Sequence, residues 1–336
     1  MDFGIQASSE LPGPLKGLEA VWSSVQGLRG AKDYEASVDG AQDFYLYTGR
    51  GPSSTSLHLG HLLPLQTTRC LAAALKAPLV LQMTDDEKFI TSKVASLADV
   101  KAYTRTNYEQ MEHIFKGLPK VWQINSSDMG RLYPHILTLS QAFTASTLRA
   151  TFGIEGEHNP LRYFFPLAQM ALAFPEVMAA IDPSFRGRRC LIVAAPDQDP
   201  FFRLARDAAV KLGWTPPVIL YLGTLPGLDS TADLPTKMSS SSPESCIFLT
   251  DDEATIRAKL RTAWSCGGAT MAEHRTPPLE GWPVHLDPTC MIGLLFGSEE
   301  EKAAVQEFGN GKMGSAGLKK KIVAFLTSYL TSTDSE

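Results

Sequence analysis

The sequence predicts an α/β protein, a doubly wound parallel sheet followed by a small α-helical domain. Three observations predict it. Short apolar runs rich in aromatic and β-branched residues alternate with longer helix-like stretches, the rhythm of strands joined by crossover helices. Each run ends in polar residues, where ligands bind in such sheets. Beyond residue 250 only helix-like pieces remain.

Residues 1–40, with Pro12, Pro14 and several glycines, read as a short, weakly structured lead-in. Residues 41–250 read as the sheet domain. "FYLYTG" (44–49) is its first strand, and "PLVLQMTDD" (78–86), "RCLIVAAPDQD" (189–199) and "PPVILYLGTL" (216–225) supply three more. Helices are expected over "HLLPLQTTRCLAAALK", "LADVKAYTRTNYEQMEHIFKGL" and "PFFRLARDAAVKLG". Residues 251–336 read as the helical domain. Thr250 or Asp251 can cap its first helix, a Gly/Pro-rich link follows, and "PTCMIGLLF", "EEEKAAVQEF" and "GLKKKIVAFLTSYL" complete it.

The 336 residues suffice for one large core and a smaller domain. A net charge of -5 gives no global basic field, although a local basic groove for RNA is compatible with it. Five dispersed cysteines form no CxxC pair and fit reduced thiols in a cytoplasmic setting. The first residues show no basic-then-apolar leader. No apolar run reaches the roughly 20 residues that span a bilayer, so no membrane partner is expected.

Two motifs carry chemistry. In "GRGPSSTSLHLGH" a Gly/Ser/Thr-rich loop containing Arg50, Gly51 and Ser53 enters a helix that carries His58, Gly60 and His61. Histidines at i, i+3 share a helix face. Read alone they are surface histidines, a metal clamp, or donors to an anion at a helix start. No third ligand accompanies them, whereas the loop offers backbone N–H groups for phosphate and Gly60 lets a flat ring approach closely. The second motif is "TKMSSSSPES", where Lys237 precedes Met238, Ser239, Ser240 and Ser241. It reads either as a flexible polar loop or as a mobile one bringing a cation and hydroxyls to developing charge. GxxxxGK[ST] is absent, so this is not a P-loop.

HxGH followed far downstream by KMSSS resembles the HIGH and KMSKS signatures of class I aminoacyl-tRNA synthetases. "FYLYTGRGPSS", "LGHLLP", "PLVLQMTDDEK", "DQDPFFRLARD", "TKMSSS" and "IFLTD" together resemble the tryptophanyl-tRNA synthetases of the eukaryotic and archaeal type, over roughly residues 43–270. The resemblance implies a Rossmann-like catalytic domain over 41–250 and an anticodon-binding helical domain over 251–336. It implies activation of L-tryptophan by ATP with Mg2+, transfer to tryptophan tRNA, a cytoplasmic setting and a homodimer. His58, His61 and Lys237 would be catalytic. ATP would be held by these with Arg50, Gly51, Ser53, Gly60, Met238, Ser239 and Ser241. Tyr47 and Gln82 would hold the indole N–H, Glu87 would lie near the substrate ammonium, and Gln169 and Gln198 would meet the amino acid's polar end. No protein ligand is assigned to a metal.

The chemistry suits these residue types. A carboxylate attacking the α-phosphate is already ionised at neutral pH, so the site needs donors for the leaving group rather than a base. Indole presents a broad apolar face and one N–H. The sister family that activates tyrosine places an aspartate against the phenol, and here Leu172 takes that position. The sequence departs from the family before Tyr47, where an RRG and FFSHRD-like extension is expected and "QGLRGAKDYEAS" stands, and in its short C-terminal region. These departures keep a second acceptor in view, a small molecule, peptide or carrier in place of tRNA. A nucleotidyltransferase and a non-catalytic tryptophan-binding module are the more distant alternatives.

Overall fold

The computed structural model describes residues 25–279 and 281–333. The chain divides into two compact units, one of residues 1–55 and 64–223, the other of 56–63 and 224–336.

The first unit holds a six-stranded sheet in the order β1-β6-β5-β2-β3-β4. Its strands are β1 (Val25–Arg29), β2 (Phe44–Arg50), β3 (Leu79–Met83), β4 (Val121–Asn125), β5 (Arg189–Ala194) and β6 (Val218–Leu222). All neighbours are parallel except the edge pair β1–β6, which is antiparallel. The helices are α1 (Ala31–Asp39), α2 (Leu59–Ala74), α3 (Asp85–Ile90), α4 (Leu97–Ile114), α5 (Tyr133–Ser140), α6 (Ala145–Phe152), α7 (Phe165–Ala171), α8 (Pro175–Met178) and α9 (Asp199–Leu212). The division between the units falls inside α2, between Leu63 and Pro64.

The central strands are buried on both faces, so they read as largely apolar runs, broken in β3 by Gln82. The four strands expected from the sequence are β2, β3, β5 and β6. Two others were not expected. β4 is half exposed and polar, VWQIN, and carries no apolar run to announce it. β1 and α1 lie inside the stretch expected to be a weakly structured lead-in, which corrects that expectation for residues 25–39. The rest of that lead-in, residues 1–24, lies outside the described residues. Strand order reverses between β2 and β5, and the crevice beyond their carboxyl ends is the ordinary ligand position of an open α/β sheet.

The second unit carries α10 (Glu253–Thr262), α11 (Met271–His274), α12 (Pro288–Phe296), α13 (Glu299–Gly309) and α14 (Ser315–Thr333). Asp252, rather than Thr250 or Asp251, caps α10 by accepting from the Thr255 N–H at 2.8 Å. Ser298 and Glu301 form a capping box on α13. Ile256, Leu260, Ile292, Val305, Phe308, Ile322 and Leu326 fill the core among these helices. A Cβ at Gly293 would stand 2.9 Å from both Ile322 Cδ1 and Val305 Cγ2, so these helices meet closely because that residue has no side chain. The unit also contains the HxGH segment, in 56–63, and the KMSSS loop.

Candidate active site

At the strand-order reversal of the first unit Tyr47, Gln82, Ser126, Gln169 and Gln198 form one hydrogen-bonded set, linked in part through the Gln169 main-chain carbonyl. Tyr47, the fourth residue of β2, points its hydroxyl at Gln82 Oε1 (2.5 Å) and lies 2.9 Å from the Gln169 carbonyl. A phenol has one proton, so the shorter contact takes it, and the oxygen's lone pairs stay available as acceptors. Gln82, on β3, donates through Nε2 to Ser126 Oγ at 2.9 Å and approaches the Ala168 carbonyl at 3.4 Å. Gln169 Nε2, on α7, donates to Gln198 Oε1 at 3.2 Å, and Gln198 is the residue before α9. Gln82 is fully buried and Tyr47 nearly so. Burial pushes the Tyr47 hydroxyl well above its ordinary range, so it stays a neutral donor. Around this set the walls are apolar: Phe202 meets the Tyr47 ring edge-on at 5.9 Å, and Leu172 is fully buried in the same core.

Glu87 is not hydrogen-bonded to that set. Its carboxylate pairs with Lys88 at 2.5 Å and Lys93 at 3.7 Å, and it accepts from Thr91 Oγ1. This corner of the unit is dense in buried charge. Burial lowers the Arg50 guanidinium to about 10 against the pull of Glu87, and burial lowers Lys88 as well. Arg50 Nε donates to Asn107 Oδ1 at 3.0 Å, and Asn107 Nδ2 donates to the Ser54 carbonyl at 2.7 Å. Asn107, fully buried on α4, thus ties Arg50 to the GRGPSS loop. A Cβ at Gly51 would lie 2.1 Å from Lys88 Cε, so the glycine admits the lysine stem. Ser53 is half-buried in the same loop. Asp85 accepts from Ser127 N (2.9 Å) and Ser127 Oγ (2.5 Å), which fixes the β3–α3 turn to the end of β4.

In the second unit the two signature motifs meet. His58 precedes α2, and His61 lies in its first turn. Their rings stack with centroids 3.5 Å apart and planes at 29°, although only His61 is on the helix: His58, expected on it, is held just before it in a bridge to Phe248. The His58 N–H donates to His61 Nδ1 at 3.3 Å. That ring nitrogen is therefore the acceptor, and the proton of the neutral ring sits on Nε2. Gly60 lies between this pair and the KMSSS loop. A Cβ there would be 3.0 Å from His58 Cε1 and 3.3 Å from Met238 Cβ.

The KMSSS loop is not a loose tether. Lys237 pairs with Pro226 in a β-bridge, Met238 N donates to the Leu225 carbonyl at 3.3 Å, and Met238 is buried. Ser242 N donates back to the Ser239 carbonyl at 3.0 Å, and Ser241 N reaches Ser239 Oγ at 3.3 Å. These bonds close a tight serine turn and leave Lys237 exposed at its start.

Sequence reasoning missed Asn107, Ser126 and Ser127, which stand outside any motif and act through side chains that fold brings in. It also gave Lys88 no role, although the run DDEK carries it. The three consecutive lysines of α14, Lys319 to Lys321, do not all face solvent. Lys319 donates to the Ala263 carbonyl at 2.6 Å and Lys321 pairs with Glu300 at 2.9 Å, leaving Lys320 as the exposed member of the three.

The family model described as tRNA synthetases class I (W and Y) matches residues 40–280, and the chain belongs to that family. It is 34% identical over 292 residues to the cytoplasmic tryptophan–tRNA ligase of Arabidopsis thaliana, covering 85% of this chain and 71% of that one. It is 35% identical to the cytoplasmic tryptophan–tRNA ligase of Schizosaccharomyces pombe, covering 89% and 76%. Among solved structures, the tryptophanyl-tRNA synthetase of Encephalitozoon cuniculi bound to tryptophan superposes with a TM-score of 0.84 at 29% identity, covering 99% of this chain and 91% of that one. Membership implies the use of ATP. No helix among the described residues is long and apolar enough to cross a membrane.

Proposed function

We propose that this protein activates L-tryptophan with ATP and transfers it to tryptophan tRNA. The observation that carries the reading is the buried Tyr47–Gln82 pair, joined through Gln169 to Gln198 and walled by apolar side chains. It offers acceptor lone pairs at one point and otherwise a dry surface, which is what an indole requires. The buried Leu172 offers no acceptor for a phenol. The likeness to relatives named tryptophan–tRNA ligase supports the same choice.

ATP is assigned to His58, Gly60, His61, Lys237, Met238, Ser239 and Ser241, with Arg50, Gly51 and Ser53 contributing from the entry loop. Gly60 supports this assignment, because a side chain there would fill the space beside His58 and Met238. As the tryptophan carboxylate attacks the α-phosphorus, the bond to the pyrophosphate oxygen breaks. His61 Nε2–H and Lys237 donate to the oxygens that gain charge. Mg2+ is assigned to the triphosphate, whose hard oxygens suit it. Glu87, paired with Lys88, is read as acting near the substrate ammonium through charge. The helices of 251–336 are read as the tRNA-reading domain, the setting as cytoplasmic and the assembly as a homodimer. Light scattering at micromolar concentration that gives a monomer would remove the last of these.

Pyrophosphate exchange measured across the amino acids tests the reading. Tryptophan should support exchange and tyrosine and phenylalanine should not; a preference for tyrosine overturns it. Exchange with tryptophan but no charging of purified tRNA would move the acceptor to another nucleophile.

A further inference from the structure

We propose that Asp251 and Lys259 form a positioning pair for the His58–His61 stack, an inference that deepens the proposed activity and rests on it for its kinetic readout. The chain just after KMSSS, Ile247–Leu249, runs antiparallel to Leu57–Leu59. Leu59 N donates to the Ile247 carbonyl at 3.0 Å and Leu249 N to the Leu57 carbonyl at 2.9 Å. His58 and Phe248 therefore face each other as a non-hydrogen-bonded pair, the arrangement that brings side chains closest. Their rings meet edge-on with centroids 6.2 Å apart.

Phe248 is itself held from two directions. Asp251 Oδ2 accepts from the Phe248 N–H at 2.9 Å and from Lys259 Nζ at 2.7 Å. Lys259 Nζ also lies 4.9 Å from the centre of the Phe248 ring, within cation–π range. The side chains of Lys259 and Asp251 are 10% and 12% exposed, so the pair is largely desolvated and each charge depends on the other. The result is a continuous column: ammonium, phenyl, His58 imidazole, His61 imidazole. Lys259 sits on α10, the first helix after the motif, and Asp251 ends the segment joining that helix to KMSSS. The pair touches neither His58 nor His61 directly. It fixes the ring against which His58 rests, and through it the face that the two imidazoles present.

The test uses Lys259→Met, which keeps the stem and removes the charge, and Lys259→Arg, which keeps both charge and ring contact. In Lys259→Met the KM for ATP should rise about tenfold or kcat for exchange fall by as much, with the KM for tryptophan within about twofold, since small misplacements of positioned groups cost this much. Lys259→Arg should recover most of the loss. The ring proton signals of His58 and His61 in the ligand-free protein should shift in Lys259→Met and return in Lys259→Arg. These signals need no activity, so they decide the inference even where exchange with tryptophan fails in the wild type. A folded Lys259→Met with unchanged histidine signals overturns the proposal. So does a loss spread equally over both substrates with a matching fall in Tm. Asp251→Asn is the second variant and should reproduce the shifts where Lys259→Met folds poorly.

Discussion

Tyr47 and Gln82 hold each other: the phenol of one donates to the amide oxygen of the other at 2.5 Å, across two neighbouring parallel strands. Neither side chain reaches solvent, so neither can find water if its partner is lost. Tyr47→Phe should therefore do two things. Leaving a buried acceptor without its donor costs on the order of 1–3 kcal/mol, which lowers Tm by several degrees. The KM for tryptophan should also rise while that for ATP stays put. Thermal unfolding and exchange titrated in each substrate check both, and an unchanged tryptophan KM would remove Tyr47 from the binding set.

Lys237 is exposed, yet the turn that carries it is pinned by Met238, Ser239 and Ser242. A cation at a fixed position can act on charge that develops only in the transition state. Lys237→Ala should lower the rate of tryptophan activation about a hundredfold or more while leaving tryptophan affinity within a factor of a few. Single-turnover adenylate formation and equilibrium binding separate the two effects. Equal losses in both would make the lysine a ground-state contact.

The same contrast explains what could be read in advance. β2, β3, β5 and β6 announce themselves because strands buried on both faces are mostly apolar. The nearness of the two histidines was legible from their i, i+3 spacing, but the bridge that holds His58 before α2 against Phe248 was not. β4 and β1 were not. β4 is half wet, so its composition matches a loop, and β1 is a five-residue edge strand whose place depends on a side chain. Arg29 at its end pairs with Asp199 at 2.8 Å, and Asp199 also bonds Tyr221 on β6. No local pattern encodes a contact spanning 170 residues. Asn107 is the same case: an interior helix asparagine is silent until folding sets it beside Arg50.

That buried network makes its own prediction. The side chains of Arg29 and Asp199 are 17% and 7% exposed. Removing one partner strands the other's charge, which typically costs about 3–5 kcal/mol. Asp199→Ala should lose stability on that scale in urea unfolding. Arg29→Met combined with Asp199→Leu should lose far less than the sum of the single changes. Asp199 begins α9 directly after Gln198, so the single variant should also raise the KM for tryptophan. Additive losses in the double variant would show that the pair is not coupled.

Asp86 gives a pH signature. Burial raises its carboxyl from the ordinary 3.8 to about 6, with the charges of Asp85 and Glu87 adding to the shift and the Glu87 N–H opposing it. The folded state therefore binds this proton more tightly than the unfolded chain does. The stabilisation is complete below about pH 4 and is lost as pH climbs through about 6, an effect on the order of 3 kcal/mol. The difference in unfolding free energy between wild type and Asp86→Asn should thus change across that window and be flat above about pH 7. A difference independent of pH from 4 to 7 would place the proton elsewhere.

The acceptor is the last question, and the lysines of α14 bear on it. Lys319 bonds the Ala263 carbonyl, and burial lowers its pKa; Lys321 pairs with Glu300, which raises its own. Replacing all three with glutamate would therefore disturb packing between α10 and α14 before it disturbed any nucleic acid. Lys320 is the clean probe, exposed on the same helix. If tRNA lies along this helix, each phosphate neutralised releases counterions, and the logarithm of affinity falls with the logarithm of salt by about 0.7 to 0.9 per contact. Lys320→Glu should reduce that slope by about one contact and slow charging at moderate salt. Pyrophosphate exchange, which needs no tRNA, should be unchanged. Lys319→Ala should do the reverse, lowering Tm with an unaltered salt slope. Measuring exchange, charging and the salt slope on the two variants and the wild type distinguishes the cases. A slope unaffected by Lys320→Glu, with charging intact, would place tRNA on another face. Exchange in the wild type with no charging under any salt condition would assign the activated tryptophan to a different nucleophile.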